Sequence, residues 1–289
     1  MMKLVADLKS VNNIGRYQVD GLVFASSDFS CSNDGIFSWS EIEEIVDYCH
    51  KYNLISILNI DRIIEEDELS FLYENLEKYL KLKVDYYIFS DFAILDFFKK
   101  HHLEDKLIYD PKTLITNVQD ALFYKDQGIK VAISNELSFD EILQIAASGN
   151  TVYELYGHHQ MFYSKRALLS NFSKSINSNK SLENTLLQIS EEKRADLHPI
   201  YQSPHGTFIY TSYRYTLLLE LPLLKDKLIF GRINTTFIEE EEALEIISLY
   251  HEAIKSDEKN IPALYEKLKN INPNIGRSFL DRKSVLLND

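Results

Sequence analysis

Short β-like runs alternate with amphipathic helical stretches along most of this chain, and that alternation leaves few folds open. The strand-like runs fall at residues 3–6, 21–25, 55–58, 86–89, 107–109, 130–133, 151–156 and 227–230. Between them, Ser38 with Glu41 and Ser138 with Glu141 carry the spacing of a capping box, each followed by apolar residues at helical intervals. Asn117 can cap a helix ending near Gly128, and further helices are expected at 69–81, 92–102 and 239–254. Strand–helix repetition of this kind implies parallel strands joined by right-handed crossovers. About eight such units predict an α/β fold, a TIM-type β/α barrel, with an open doubly wound sheet as the alternative.

The alternation breaks between residues 173 and 224. Residues 173–181 are rich in Ser, Asn and Lys and read as an exposed loop. Residues 182–193 read as a helix, and 198–220 as strands around Ser203-Pro204-His205-Gly206. The expected layout is a barrel over 1–255 with this insertion before the last strand. A short C-terminal extension over 256–289, holding a helix at 263–269 and a last short strand, packs on the barrel.

Composition excludes several classes. A net charge of −13 argues against broad, non-specific nucleic-acid binding. An acid at Asp7 comes too early for a secretory leader, and no apolar run reaches the roughly 20 residues of a membrane span. Cys31 and Cys49 are too few for a disulfide scaffold or a four-thiolate cluster. The expected location is cytoplasmic, without a membrane partner. No zinc-ligand spacing, nucleophile elbow or phosphate-binding glycine loop occurs, so no metal is expected and a protease site has no support.

In a β/α barrel the site is built at the C-terminal strand ends. Those ends supply Asp7, Ser26, Asn59, Ser90, Asp91, Asp110, Asn135, Glu136, Gly157, His158, His159 and Arg232. Glu136, Asp91 and His158 are the candidates for acid–base catalysis. Asp91 could equally cap a helix, and Glu136 directly precedes a capping box. No acid occurs between Glu154 and Glu183, while His158, His159, Lys165, Arg166, Lys174 and Lys180 do. That local basic stretch is a candidate anion or RNA contact, or an ordinary basic loop. The expected binding group is Arg166, Lys165, Tyr163, Ser164, Asn135, His159 and Arg232, with the Arg166 fork suited to carboxylate or phosphate.

The same stretch carries a resemblance. Gly157, Tyr163, Ser164, Arg166, Leu168, Leu169, Ser170 and Asn171 match the signature of the U-32 (collagenase-like) peptidase family, while its two cysteines fall on Gln160 and Ala167. Asp20-Gly21, Asn59, Ser90-Asp91, Thr116-Asn117, Glu136-Leu137-Ser138, His205-Gly206-Thr207 and Gly231-Arg232 resemble further family motifs in order. The family includes collagen-degrading proteases and factors for RNA and quinone hydroxylation, some holding an iron–sulfur cluster on cysteines. The chain resembles a short, cysteine-poor branch linked to prephenate-dependent hydroxylation of wobble uridine in tRNA. That resemblance implies no cofactor bound by this chain beyond a prephenate-derived small molecule. It also implies a longer U-32 paralogue and tRNA as partners. A peptidase and a non-catalytic scaffold are the alternatives.

Overall fold

The computed structural model describes residues 1–178, 180–193 and 195–281. In chain order the strands are β1 (Lys3–Asp7), β2 (Gly21–Ser26), β3 (Ile36–Phe37), β4 (Ile55–Asn59), β5 (Tyr86–Phe89), β6 (Leu107–Tyr109), β7 (Lys130–Ala132) and β8 (Thr151–Gly157). They continue with β9 (Gln160–Ser164), β10 (Leu187–Ile189), β11 (His198–Ser203), β12 (Gly206–Tyr210), β13 (Arg214–Thr216), β14 (Phe230–Ile233) and β15 (Ile275–Gly276). The main helices are α1 (Trp39–Tyr52), α2 (Leu69–Lys81), α3 (Phe92–Lys100), α4 (Val118–Lys125), α5 (Phe139–Ala146), α6 (Leu168–Ser175), α7 (Leu221–Leu224), α8 (Glu240–Lys255) and α9 (Ile261–Ile271).

Eight strands close on themselves in parallel, in the order β14-β1-β2-β4-β5-β6-β7-β8, because β14 pairs with both β1 and β8. The closure selects the TIM-type barrel over an open sheet. Both capping boxes form: Ser38 N–H donates to Glu41 Oε2 at 2.8 Å and Ser138 N–H to Glu141 Oε2 at 2.9 Å. Asn117 accepts from the Asp120 N–H at 3.0 Å, capping α4. The larger core lies between the barrel wall and its helices, with Leu58, Phe98, Ile142 and Ile247 fully buried. A smaller core fills the barrel itself: Val5, Val23, Ile57, Ile88, Ile108, Val152 and Phe230.

Two expectations need correction. Residues 182–193 hold strand β10 rather than a helix. Leu187 pairs with Ile200 and Ile189 with His198, so the free edge of β11 recruits the segment. The last barrel strand lies at Phe230–Ile233 rather than 227–230. Gly231 fixes this position, since a Cβ there would meet Leu155 Cδ1 at 2.5 Å and Met2 Sδ at 2.6 Å.

Between β8 and β14 the chain builds a second, antiparallel sheet in the order β10-β11-β12-β9. This sheet takes in Gln160–Ser164 as well as the later part of the insertion. It sits at the C-terminal mouth, where Tyr210 and Gln160 line the cavity described below. Beyond β14, α9 buries Leu264 and Leu268 in the main core, and β15 adds to β13. Residues 282–289 of the expected C-terminal extension lie outside the described residues.

Candidate functional site

Side chains on one strand face repeat every second residue. Two residues beyond the apolar plug, towards the C-terminal mouth, the inward positions become Asp7, Asn59, Asp110, Glu154 and Arg232. The barrel interior therefore switches from apolar to ionic within one pleat. Above that switch lies a cavity of about 90 Å³, roofed by Tyr210 and Gln160 and lined also by Cys31, Asn33, Asp61, Lys112, Asn135, Glu136 and Asn234.

The aspartates and cations at its floor are paired. Arg232 grips Asp7 through Nε–Oδ1 at 2.7 Å and Nη2–Oδ2 at 3.0 Å, and its Nη1 lies 4.0 Å from Asp110 Oδ2. Such a two-pronged contact needs the planar guanidinium. Lys112 Nζ contacts Asp110 Oδ2 at 2.8 Å and Asp61 Oδ2 at 3.3 Å. Burial alone would lower the Lys112 pKa, but Asp110 and Asp61 outweigh it and hold the ammonium firmly charged. Asp61 is likewise held below the usual carboxylate range. Its burial opposes this, but Lys112, the Cys31 N–H at 2.8 Å and the Ser30 hydroxyl at 3.0 Å prevail. Lys112 has a φ of +64°, a left-handed conformation that non-glycine residues adopt at a cost. Its N–H donates to Asp110 Oδ1 at 3.1 Å, so the turn serves to bring this ammonium back over the strand end.

Glu154 is different. Burial, against the pull of Arg232 and Asn234, pushes its carboxyl up to about 8, so it is mostly a neutral acid at pH 7. Its Oε1 lies 3.5 Å from His159 Nε2. Burial, and then His158, pushes His159 down to about 3, so the imidazole is neutral too. Cys31 also lines the cavity. Burial, and then Asp61, pushes its thiol up to about 12, so it is not a thiolate nucleophile.

The structure gathers only part of the site expected from sequence. Asn135, Glu136 and Arg232 line the cavity, with Glu136 on its exposed rim. Asp91 does not line it. Its two oxygens accept from Ala93 N at 2.8 Å and Ile64 N at 2.9 Å, capping α3 and anchoring the loop after β4. His158 is buried and does not line the cavity; its Nδ1 lies 2.8 Å from Thr211 O, and burial lowers its pKa. His159 reaches the site only through Glu154. Tyr163 donates to His205 O at 3.1 Å, and Ser164 Oγ accepts from Arg166 N at 3.3 Å. Lys165 forms an ion pair with Glu65 outside the cavity. Arg166 is exposed, with no ionic partner among the described residues. Sequence alone does not point to Asp61 or Lys112 as members of this site. Glu154 carried a signal, being an acid inside an otherwise apolar strand run.

A cysteine-ligated cluster does not fit this chain. The signature positions hold Gln160, which lines the cavity, and Ala167, which precedes α6, while Cys49 is buried on α1. Among the described residues no group of three or more His, Cys, Asp or Glu side chains converges as metal ligands. No helix among them is long and apolar enough to cross a membrane.

The closed β/α barrel carries an ionic, partly roofed cavity at its C-terminal mouth, the end at which barrels of this type build their sites. The profile of peptidase family U32 matches residues 6–284, and the chain belongs to that family. It is 24% identical over 180 residues to the tRNA hydroxylation protein P of Helicobacter pylori, a match covering 60% of this chain and 43% of that protein. A solved structure of the U32 peptidase Mk0906 aligns at 14% identity with a TM-score of 0.41, covering 55% of this chain and 70% of that one.

Proposed function

We propose that this chain supports hydroxylation of the wobble uridine of tRNA in the cytoplasm, together with a longer U32 paralogue. Its barrel cavity would hold the small molecule on which that support depends. The family match over residues 6–284, joined to a relative named for tRNA hydroxylation, carries the reading. The cavity supports it chemically, since its lining offers paired charges, amides and a neutral carboxylic acid.

A prephenate-derived ligand would have to enter a space where three carboxylates, Asp7, Asp61 and Asp110, already face two cations, Arg232 and Lys112. An anion would bind by drawing Lys112 or Arg232 away from its carboxylate, which makes binding sensitive to both cations. For tRNA itself, the acid-free stretch offers exposed Arg166, Lys174 and Lys180. The paralogue would supply the remaining contact.

Peptide hydrolysis is the competing activity within the family. Among the described residues no Ser, Thr or Cys side chain hydrogen-bonds a histidine ring, which leaves an activated nucleophile without a base. The testing experiment is nucleoside mass spectrometry of tRNA from a strain lacking this chain. Loss of wobble hydroxylation, restored by the wild-type gene, is expected. Unchanged hydroxylation in a strain with no second route would overturn the proposal.

A further inference from the structure

Thr236 N–H donates to Asn234 Oδ1 at 3.0 Å, which fixes the Asn234 amide with its Nδ2 towards Glu154. That Nδ2 donates to Glu154 Oε2 at 3.1 Å. Oε2 is therefore an acceptor, and a proton on this carboxyl sits on Oε1. Gly157 makes the arrangement possible, because a Cβ at its φ of +141° would meet Asn234 Cβ and O at 2.7 Å.

Glu154 Oε1 is buried and has no hydrogen-bond partner. Glu154 lines the cavity, and its Oε1 lies 3.5 Å from His159 Nε2. The His159 side chain is 4% exposed, its ring packs on Tyr215 with centroids 4.0 Å apart, and neither ring nitrogen has a hydrogen-bond partner. Two unpartnered polar groups this deeply buried are costly unless a proton joins them. The 3.5 Å separation is one that a small side-chain movement closes, as acid–base contacts often do when a ligand binds.

We propose that Glu154 is the acid–base group of the cavity and that His159 is its positioning residue. The inference rests on the cavity being the functional site. In the resting protein the proton on Oε1 points to His159 Nε2. With a ligand bound, the O–H bond of Glu154 breaks and an O–H bond forms on a carbonyl or hydroxyl oxygen of the small molecule. The carboxylate left behind is stabilised by Arg232, Asn234 and Lys112, and it takes up a fresh proton from water once the protonated ligand has left. The ionisable groups facing Glu154 are Arg232 on β14, Asp7 on β1, Lys112 after β6, and Tyr153 and His159 on and after its own strand. Burial exceeds the combined pull of the cations, which keeps the acid protonated near neutrality.

The test is an infrared difference spectrum of wild type against Glu154→Gln, read beside tRNA complementation. A protonated-carboxyl carbonyl band is expected at pH 7, fading as pH rises through about 8. Its frequency should shift in His159→Phe, where the acid loses its acceptor. A stably folded Glu154→Gln protein should lose wobble hydroxylation by about 100-fold or more, the usual scale of an acid–base residue. Absence of the band at pH 6–7, or a stable Glu154→Gln protein that complements fully, would overturn the assignment. A band unmoved in His159→Phe would remove His159 from it. If Glu154→Gln does not fold, a pH titration of glutamate-labelled wild type decides the protonation alone. A deletion strain with unchanged hydroxylation would overturn the tRNA reading and leave the infrared result standing.

Discussion

Arg232 and Asp7 form a two-pronged ion pair at the cavity floor. Removing one member of a buried ion pair leaves an uncompensated charge, at a cost of about 3–5 kcal/mol. Arg232→Ala is therefore expected to lose about that much in chemical denaturation, and Arg232→Lys to lose part of it, since the fork to both Asp7 oxygens is gone. A loss below about 1 kcal/mol would mean that Asp7 finds water or Lys112 instead. Glu154 and His159 give the fold opposite pH sensitivities. Glu154 is raised in the folded state, so its contribution is complete below the ordinary carboxylate range and is lost as pH rises through about 8. His159 is lowered, so its contribution is present above the ordinary imidazole range and is lost as pH falls towards 3. The melting temperature of Glu154→Gln relative to wild type should thus rise between pH 5 and pH 8. A constant difference across that range would show that Glu154 is already ionised. Of these residues, sequence reading reached Arg232 because it ends a strand. It does not reach Asp61 and Lys112, which lie two and three residues beyond the ends of β4 and β6. Only the folded turn at Lys112, with its positive φ, returns that ammonium to the barrel axis.

Elements were easier to read than residues. Strand and helix periodicities differ, and the capping boxes at Ser38 and Ser138 mark helix starts that the folded chain uses. Residues 182–193 misled because their leucines suit a helix as well as an edge strand, and only the free edge of β11 decides between them. Asp91 shows the same limit in a single side chain, for a strand-end acid can serve catalysis or a cap. The structure gives it two backbone N–H donors. Asp91→Ala is expected to cost about 1–2 kcal/mol through the lost cap, while Asp91→Asn keeps most of it. Equilibrium unfolding of the two variants checks this. Equal stability of Asp91→Ala and wild type would contradict the capping role.

At the scale of the whole molecule, the barrel supplies a rigid ring of strand ends and the insertion supplies a roof. Tyr210 of β12 accepts from Asn33 Nδ2 at 2.6 Å across the cavity, tying the roof to the barrel. Tyr210→Phe should therefore loosen the roof while leaving the barrel intact, which hydrogen exchange along β12 would show. Protection at β12 equal to wild type would mean the roof is held by packing alone. The isolated chain is expected not to cleave gelatin, since Cys31 carries a protonated thiol and, among the described residues, no histidine ring has a nucleophile partner. Robust cleavage by purified protein would favour the peptidase reading. The central proposal is that the barrel cavity holds the small molecule on which the proposed tRNA hydroxylation depends. The most direct measurement is wobble-uridine hydroxylation, by nucleoside mass spectrometry, in a deletion strain carrying Asn59→Leu, which replaces a cavity amide by an apolar side chain with the same number of heavy atoms. The expected result is a folded protein, shown by its melting curve, that restores little or no hydroxylation where wild type restores it fully. Full restoration by a folded Asn59→Leu protein would contradict the claim.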